Sequence, residues 1–173
     1  LPPTVLGFYL LVAMGGTSAP GAWFKAATGT TLAFSFPGLV VASVVFNLPF
    51  AVQPIQRALE AIDPDVREAA LCCGMTRWQT LTRIELPLAW PGVLSAAVLT
   101  FAHTLGEFGV VLMVGGNIPG ETRTVALAIY DRAQSLDAGA AGRMSLLLLA
   151  VSFITIAVSY GLGSRVPGSR RRP

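Results

Sequence analysis

Charge is scarce in this sequence. Only 12% of its 173 residues are Asp, Glu, Lys or Arg, about half the share of a soluble globular domain. Hydrophobic residues make up 53%, with a mean hydropathy of +0.65. A water-soluble fold would expose far more charge, so the deficit points to lipid surroundings. Cysteine is scarcer still. Cys72 and Cys73 are the two present, and adjacent thiols cannot staple distant segments, which excludes a disulfide framework. They read as reduced packing residues. The single histidine, His103, lacks the second histidine of a zinc helix, and no set of metal ligands gathers at a suitable spacing. No G-x4-G-K-[ST] loop occurs anywhere, so the chain is not expected to hydrolyse ATP alone. The glycines of Gly115-Gly116-Asn117-Ile118-Pro119-Gly120 lack both the spacing and the preceding strand of a dinucleotide loop. A Ser–His–carboxylate site cannot be assembled credibly either. Neither an enzyme nor a resident cofactor or metal is expected.

What the sequence does have is long apolar runs. Leu1–Gly15 is apolar but, at 15 residues, falls short of the ~20 that a span needs. The chain opens at Leu1 rather than Met, and upstream residues are expected to complete this helix. Residues 15–30, rich in Gly, Thr and Ala, read as a loop, with Trp23 suited to a membrane interface. Leu32–Gln53 is the second expected span, about 33 Å long at 1.5 Å per residue, kinked at Pro37 and Pro49, with Asn47 as its strongly polar interior residue. Pro54–Ile62 follows as a short polar helix. Leu88–Gly115 holds a third span entered at Pro91 and containing Thr100, His103, Thr104 and Glu107. His103 and Glu107 are four apart and are expected on one helix face. Residues 116–143 form an external loop in which Val125–Ala133 suits a short amphipathic helix, Met144–Leu162 is the final span, and 164–173 is a basic tail. The expected fold class is all-α, a polytopic membrane helix bundle with about four spans.

Arginine placement gives the orientation. The polar stretch after the second span and the C-terminal tail share one side, with Arg57, Arg67, Arg77, Arg83, Arg165, Arg170, Arg171 and Arg172. The opposite side has Lys25, Arg123, Arg132 and Arg143. Basic residues flanking apolar spans mark the cytoplasmic side and argue against a nucleic-acid surface.

The longest polar interval, residues 63–87, reads as two short helices parted by a glycine. Asp63 can cap the first, with Pro64 at its first position and Asp65 and Glu68 near its N-terminus. Gly74 suits the left-handed residue that closes it. Thr76 and Gln79 form a capping box for the second helix, which Pro87 is expected to help end. The apolar faces are Val66, Ala69, Ala70 and Cys73, then Trp78, Leu81 and Ile84.

Glu68-Ala69-Ala70, Gly74, Ile84, Leu86 and Pro87 stand at the spacing EAA-x3-G-x9-I-x-LP. This resembles the EAA motif of membrane-spanning permease subunits of ABC importers. The resemblance implies a type I importer helix bundle in the cell (inner) membrane, whose cytoplasmic loop 63–87 docks on a separate ATPase subunit. Within these permeases, LPPTVLGFYLLV at 1–12, LAFSFPGLVVASVVFNLPFAVQPIQ at 32–56 and TLGEFGVVLMVGGNIPGETRT at 104–124 are similar to the molybdate subgroup. The resemblance covers nearly the whole chain and lacks the family's N-terminal span or spans. Sulfate and thiosulfate permeases share the LPP opening and a G-E-[FY]-G segment and form the alternative. The implied assembly is two copies of the permease in the bilayer, two ATPase subunits and a periplasmic or lipid-anchored oxyanion-binding protein. The implied cargo is molybdate, with tungstate taking the same route.

Asn47, Thr100, His103, Thr104 and Glu107 are the candidates for the translocation path. No Lys or Arg stands inside the expected spans between Leu32 and Gly115. A tight intramembrane anion site would need such donors, so a weakly binding path is expected. Glu107 would repel an anion, and is expected to be paired, protonated or turned away. A secondary transporter would instead show inverted repeats and intramembrane charges for ion coupling, and neither is visible.

Overall fold

The computed structural model describes residues 2–163, so the basic tail, with Arg165 and Arg170 to Arg172, lies outside the described residues. Among the described residues every regular element is helical. Contacts group the chain into two units, one of residues up to 48 with 103–152, the other of residues 49–102 with those from 153 onward.

In the first unit, α1 (Pro3–Met14) starts on a proline at its first position, where the missing N–H costs nothing. The next segment departs from the loop expected over residues 15–30. Ala19–Thr28 forms α2, with Ser18 Oγ accepting from Gly21 N at 3.1 Å and Gly29 closing the helix at φ 77°. Ser18, Pro20 and Gly29 are start and stop signals that override the weak propensity of the Gly- and Thr-rich composition. The two helices bend by 56° at their break. Ser35 then caps α3 (Phe36–Glu60), its Oγ accepting from Gly38 N at 3.2 Å, so the helix starts four residues after Leu32. The short α7 (Gly109–Gly115) packs on α1. Met14, Leu32, Ala33, Ala42, Phe46, Val110 and Val114 form the core of this unit.

The second unit changes several expected boundaries. Helix α3 runs unbroken through Pro49 and Pro54 to Glu60, so the separate helix expected from Pro54 is its last turns. Each proline removes one backbone hydrogen bond, and the intact turns around it hold the helix where no water competes for the backbone. Pro64–Cys72 is α4 and Arg77–Thr80 is α5. Pro87 does not end the second short helix. A π-helical turn, Leu81–Glu85, joins α5 to α6 (Leu86–Leu105), giving 29 continuous residues from Arg77 to Leu105. Leu86 N–H bonds back five residues to Leu81 O. That wider register accommodates a proline, whose ring would otherwise meet the carbonyl four residues back. Pro91 also lies inside α6 rather than at its entry. Beside it, a Cβ on Gly92 would collide with the Ala58 side chain and sit 3.1 Å from Pro54 O, so the missing side chain lets α6 and α3 approach closely here.

The span expected to reach Gly115 stops at Leu105, before Gly106. The amphipathic segment forms α8 (Val125–Gln134), capped by Thr124. Asp137 Oδ1 accepts from Ala140 N at 3.0 Å and starts α9 (Ala138–Gly163) six residues before Met144. Among the described residues, three helices, Phe36–Glu60, Arg77–Leu105 and Ala138–Val158, are long and apolar enough to cross a membrane, and α1 with α2 makes a fourth if the bent pair is one span. Only 17%, 11% and 6% of their apolar windows are buried, so most of that surface needs lipid or further chains to cover it.

Candidate functional site

The polar stretch is built by its caps. Asp63 Oδ1 accepts from Asp65 N at 3.0 Å with Pro64 at the first position of α4. At the far end Gly74, φ 79°, makes the left-handed turn. Gly74 N–H bonds to Leu71 O at 2.9 Å and Met75 N–H to Ala70 O at 3.1 Å, the paired bonds of a Schellman closure. The Thr76–Gln79 capping box is present in both directions, at 3.3 and 2.9 Å. Between these caps the EAA-spaced residues are not equivalent. Ala70 is buried, Ile84 half-buried, and Glu68, Ala69, Gly74, Leu86 and Pro87 exposed. Val66, Leu71 and Trp78 are exposed too, Trp78 to 71%. The loop thus satisfies its own helix ends and leaves this surface open.

One feature of the loop escaped sequence reasoning. Arg67 Nε donates to Glu85 Oε1 at 2.8 Å, and its Nη2 donates to Leu59 O at 2.6 Å. The guanidinium thereby joins the end of α3, α4 and the π-turn. Arg67 and Glu85 are eighteen positions apart across a glycine turn, and no periodicity within one helix relates them.

The polar residues of the spans gather only in part. Asn47, 4% exposed, donates from Nδ2 to Ser43 O at 2.8 Å. Its Oδ1 lies 3.1 Å from His103 Nδ1, and since that oxygen can only accept, the ring nitrogen facing it is the donor. The His103 ring also packs on Phe46, with centroids 5.2 Å apart. Glu107 does not share a helix face with His103, because α6 has ended before it. It is buried and accepts from Val110 N at 2.9 Å, satisfying an open N–H of the first turn of α7. Thr100 is half-buried and Thr104 exposed. The helices also extend beyond their expected ends, so Arg57, Arg77 and Arg83 stand in the terminal turns of spanning helices or in the π-turn. The lack of basic residues holds for the apolar middles alone.

The run from Gly115 to Thr124 is a self-bonded turn. Thr122, 2% exposed, donates to Gly115 O at 2.6 Å and accepts from Ile118 N at 3.0 Å. Asn117 Nδ2 donates to Asp131 Oδ2 at 2.9 Å and its Oδ1 accepts from Arg123 Nε at 3.1 Å, while Arg123 pairs with Asp131 at 3.2 Å. Phe108 and Tyr130 pack with centroids 4.9 Å apart. Polar residues here close the turn on α8.

With this geometry in view, the family model described as binding-protein-dependent transport system inner membrane component matches residues 1–166. The chain belongs to this family. Among known relatives, the molybdenum transport system permease protein ModB of Azotobacter vinelandii is 48% identical over 160 residues, covering 92% of this chain and 71% of the relative. ModB of Escherichia coli K12 is 40% identical over 168 residues, 94% of this chain and 71% of its own. The sulfate transport system permease protein CysT of Escherichia coli K12 is 33% identical over 165 residues, 95% of this chain and 59% of its own.

As an inner-membrane component of a binding-protein-dependent system, the protein is a multi-pass membrane protein and a transporter component. Its exposed apolar helices are what such a setting requires.

Proposed function

We propose that this chain is the permease subunit of an ABC importer that carries molybdate, and tungstate by the same route, into the cytoplasm. The observation that carries the reading is the 48% identity, across 92% of this chain, to a molybdenum transport system permease. The self-capped loop with its exposed Glu68, Ala69 and Trp78 supports a docking role toward a separate cytoplasmic ATPase subunit. That subunit supplies hydrolysis, for which this sequence holds no phosphate-binding loop. A periplasmic or lipid-anchored binding protein delivers the oxyanion, and a second copy of the chain completes the pathway and covers part of the open apolar surface.

ATP-driven closure of the ATPases moves the loop, the loop moves the spans, and the pathway opens alternately to either side. Asn47, Thr100, His103, Thr104 and Glu107 remain the path candidates, with distinct tasks. Asn47 and Glu107 have polar atoms engaged with protein partners, so they shape the path more than they bind cargo. A dianion held tightly in the membrane would need several buried cationic or N–H donors. The apolar middles of the spans carry no Lys or Arg, and selection then falls to the binding protein. A sulfate or thiosulfate route is the second reading, favoured by the 33% identity to CysT. Uptake of labelled molybdate with sulfate in competition separates the two: sulfate uptake with molybdate excluded would select the second.

A further inference from the structure

Helix α4 connects to its neighbours through short segments, 61–63 before it and 73–76 after it, the second pivoting on Gly74 at φ 79°. Segments this short still turn at a left-handed glycine, so a loop pushed by a partner could swivel on them while the spans stayed in place. A hollow of about 370 Å³ lies between α3 and Arg67, lined also by Val52, Gln56 and Glu60. Another of about 330 Å³ is lined by Arg67 with Leu71, Arg77 and Leu81. The Arg67 side chain lines both hollows, and its guanidinium is the polar tie of the loop. It reaches Leu59 O at the end of α3 and Glu85 in the π-turn that leads into α6. Side-chain exposures of 35% for Arg67 and 16% for Glu85 place this pair partly out of water, where charge-assisted bonds hold geometry better than a surface pair does.

We propose that Arg67 is a positioning residue for energy coupling, locking α4 to the end of α3 and to the π-turn so that all three move as one body. The proposal rests on the reading that this loop docks on an ATPase. Glu85 belongs to the same device. One residue more or less in a helix turns its face by about 100°, so the π-turn determines whether Glu85 meets Arg67.

The test uses the full chain reconstituted with its ATPase and binding protein in proteoliposomes, as wild type and as Arg67→Ala, Arg67→Lys and Glu85→Ala. Molybdate uptake and ATP hydrolysis are measured in the same vesicles, each normalised to assembled complex. Hydrolysis per complex stays within about twofold, while uptake per ATP falls about tenfold in Arg67→Ala, the scale of a lost charge-assisted hydrogen bond. Glu85→Ala, which keeps the Leu59 bond, and Arg67→Lys, which cannot span both partners, fall between. An unchanged uptake per ATP overturns the proposal, and so does a mere drop in the amount of complex at constant ratio, the mark of a purely structural role. Where Arg67→Ala fails to assemble, Arg67→Lys and Glu85→Gln decide by the same ratio. Failure of the wild-type chain to bind any ATPase would contradict the docking reading instead.

Discussion

Gly74 shows what a single residue contributes when its backbone, and not its side chain, is the requirement. At φ 79° it closes α4, and a Cβ placed there meets nothing within 4 Å. Substitution is therefore penalised by conformation alone, by about 1 kcal/mol or more for a β-branched residue. Gly74→Val is expected to loosen the Schellman closure, re-aim the exposed face of the loop and weaken association with the ATPase, while the spans still insert. Glu68→Lys should weaken the same association by reversing an exposed charge without touching the fold. Co-purification of the ATPase with each variant checks both, and wild-type recovery with wild-type transport would remove the loop from the docking surface. At this scale the sequence was legible wherever chemistry is local. Asp63, Gly74, Thr76 and Gln79 act within three or four positions of themselves, and their caps could be read directly. Arg67 with Glu85, and Asn47 with His103, join residues 18 and 56 positions apart, a relation set by how helices pack and invisible to local spacing.

Among the elements, the passage from α5 to α6 departs most from local expectation. Proline in a helix interior costs about 3 kcal/mol relative to alanine, and so Pro87 reads as a stop. The chain instead inserts the π-turn Leu81–Glu85 and continues for another twenty residues of α6. The turn carries Thr82, Arg83 and Glu85, and its wider register keeps the backbone hydrogen-bonded without a break up to the apolar run that starts at Leu86. Helix α3 likewise runs on past Gln53 and α6 contains Pro91, whereas α9 begins before Met144 because Asp137 caps it. In the opposite direction, α2 formed where composition suggested a loop, because its caps outweighed its propensities. Pro87→Ala tests the π-turn directly. The restored N–H favours the α register, so thermal stability in detergent should rise. The face bearing Glu85 should at the same time rotate away from Arg67, and uptake should fall. A variant that is both more stable and fully active would show that the wider turn has no part in transport.

For the whole molecule, spans with so little of their apolar surface buried make sense only in lipid and beside other chains. We propose from the arginine bias that Cys72 and Cys73, both exposed, face the cytoplasm. A membrane-impermeant thiol reagent should leave them unlabelled in intact cells and label them in inside-out vesicles. Labelling in sealed right-side-out membranes would invert the topology and detach the loop from any ATPase. The overall architecture was legible in composition and apolar runs, whereas a path, which we propose a second copy completes, is set by packing between chains and not by local spacing. The central claim is that this assembly is an ATP-driven route for a tetrahedral oxyanion of the molybdate type. Its most direct measurement is uptake of labelled molybdate into proteoliposomes holding the permease, its ATPase and its binding protein, with ATP on the ATPase side and excess sulfate as competitor. The account predicts uptake that requires ATP and both partners and survives the sulfate. Uptake that proceeds without the ATPase, or that carries sulfate and excludes molybdate, would contradict it.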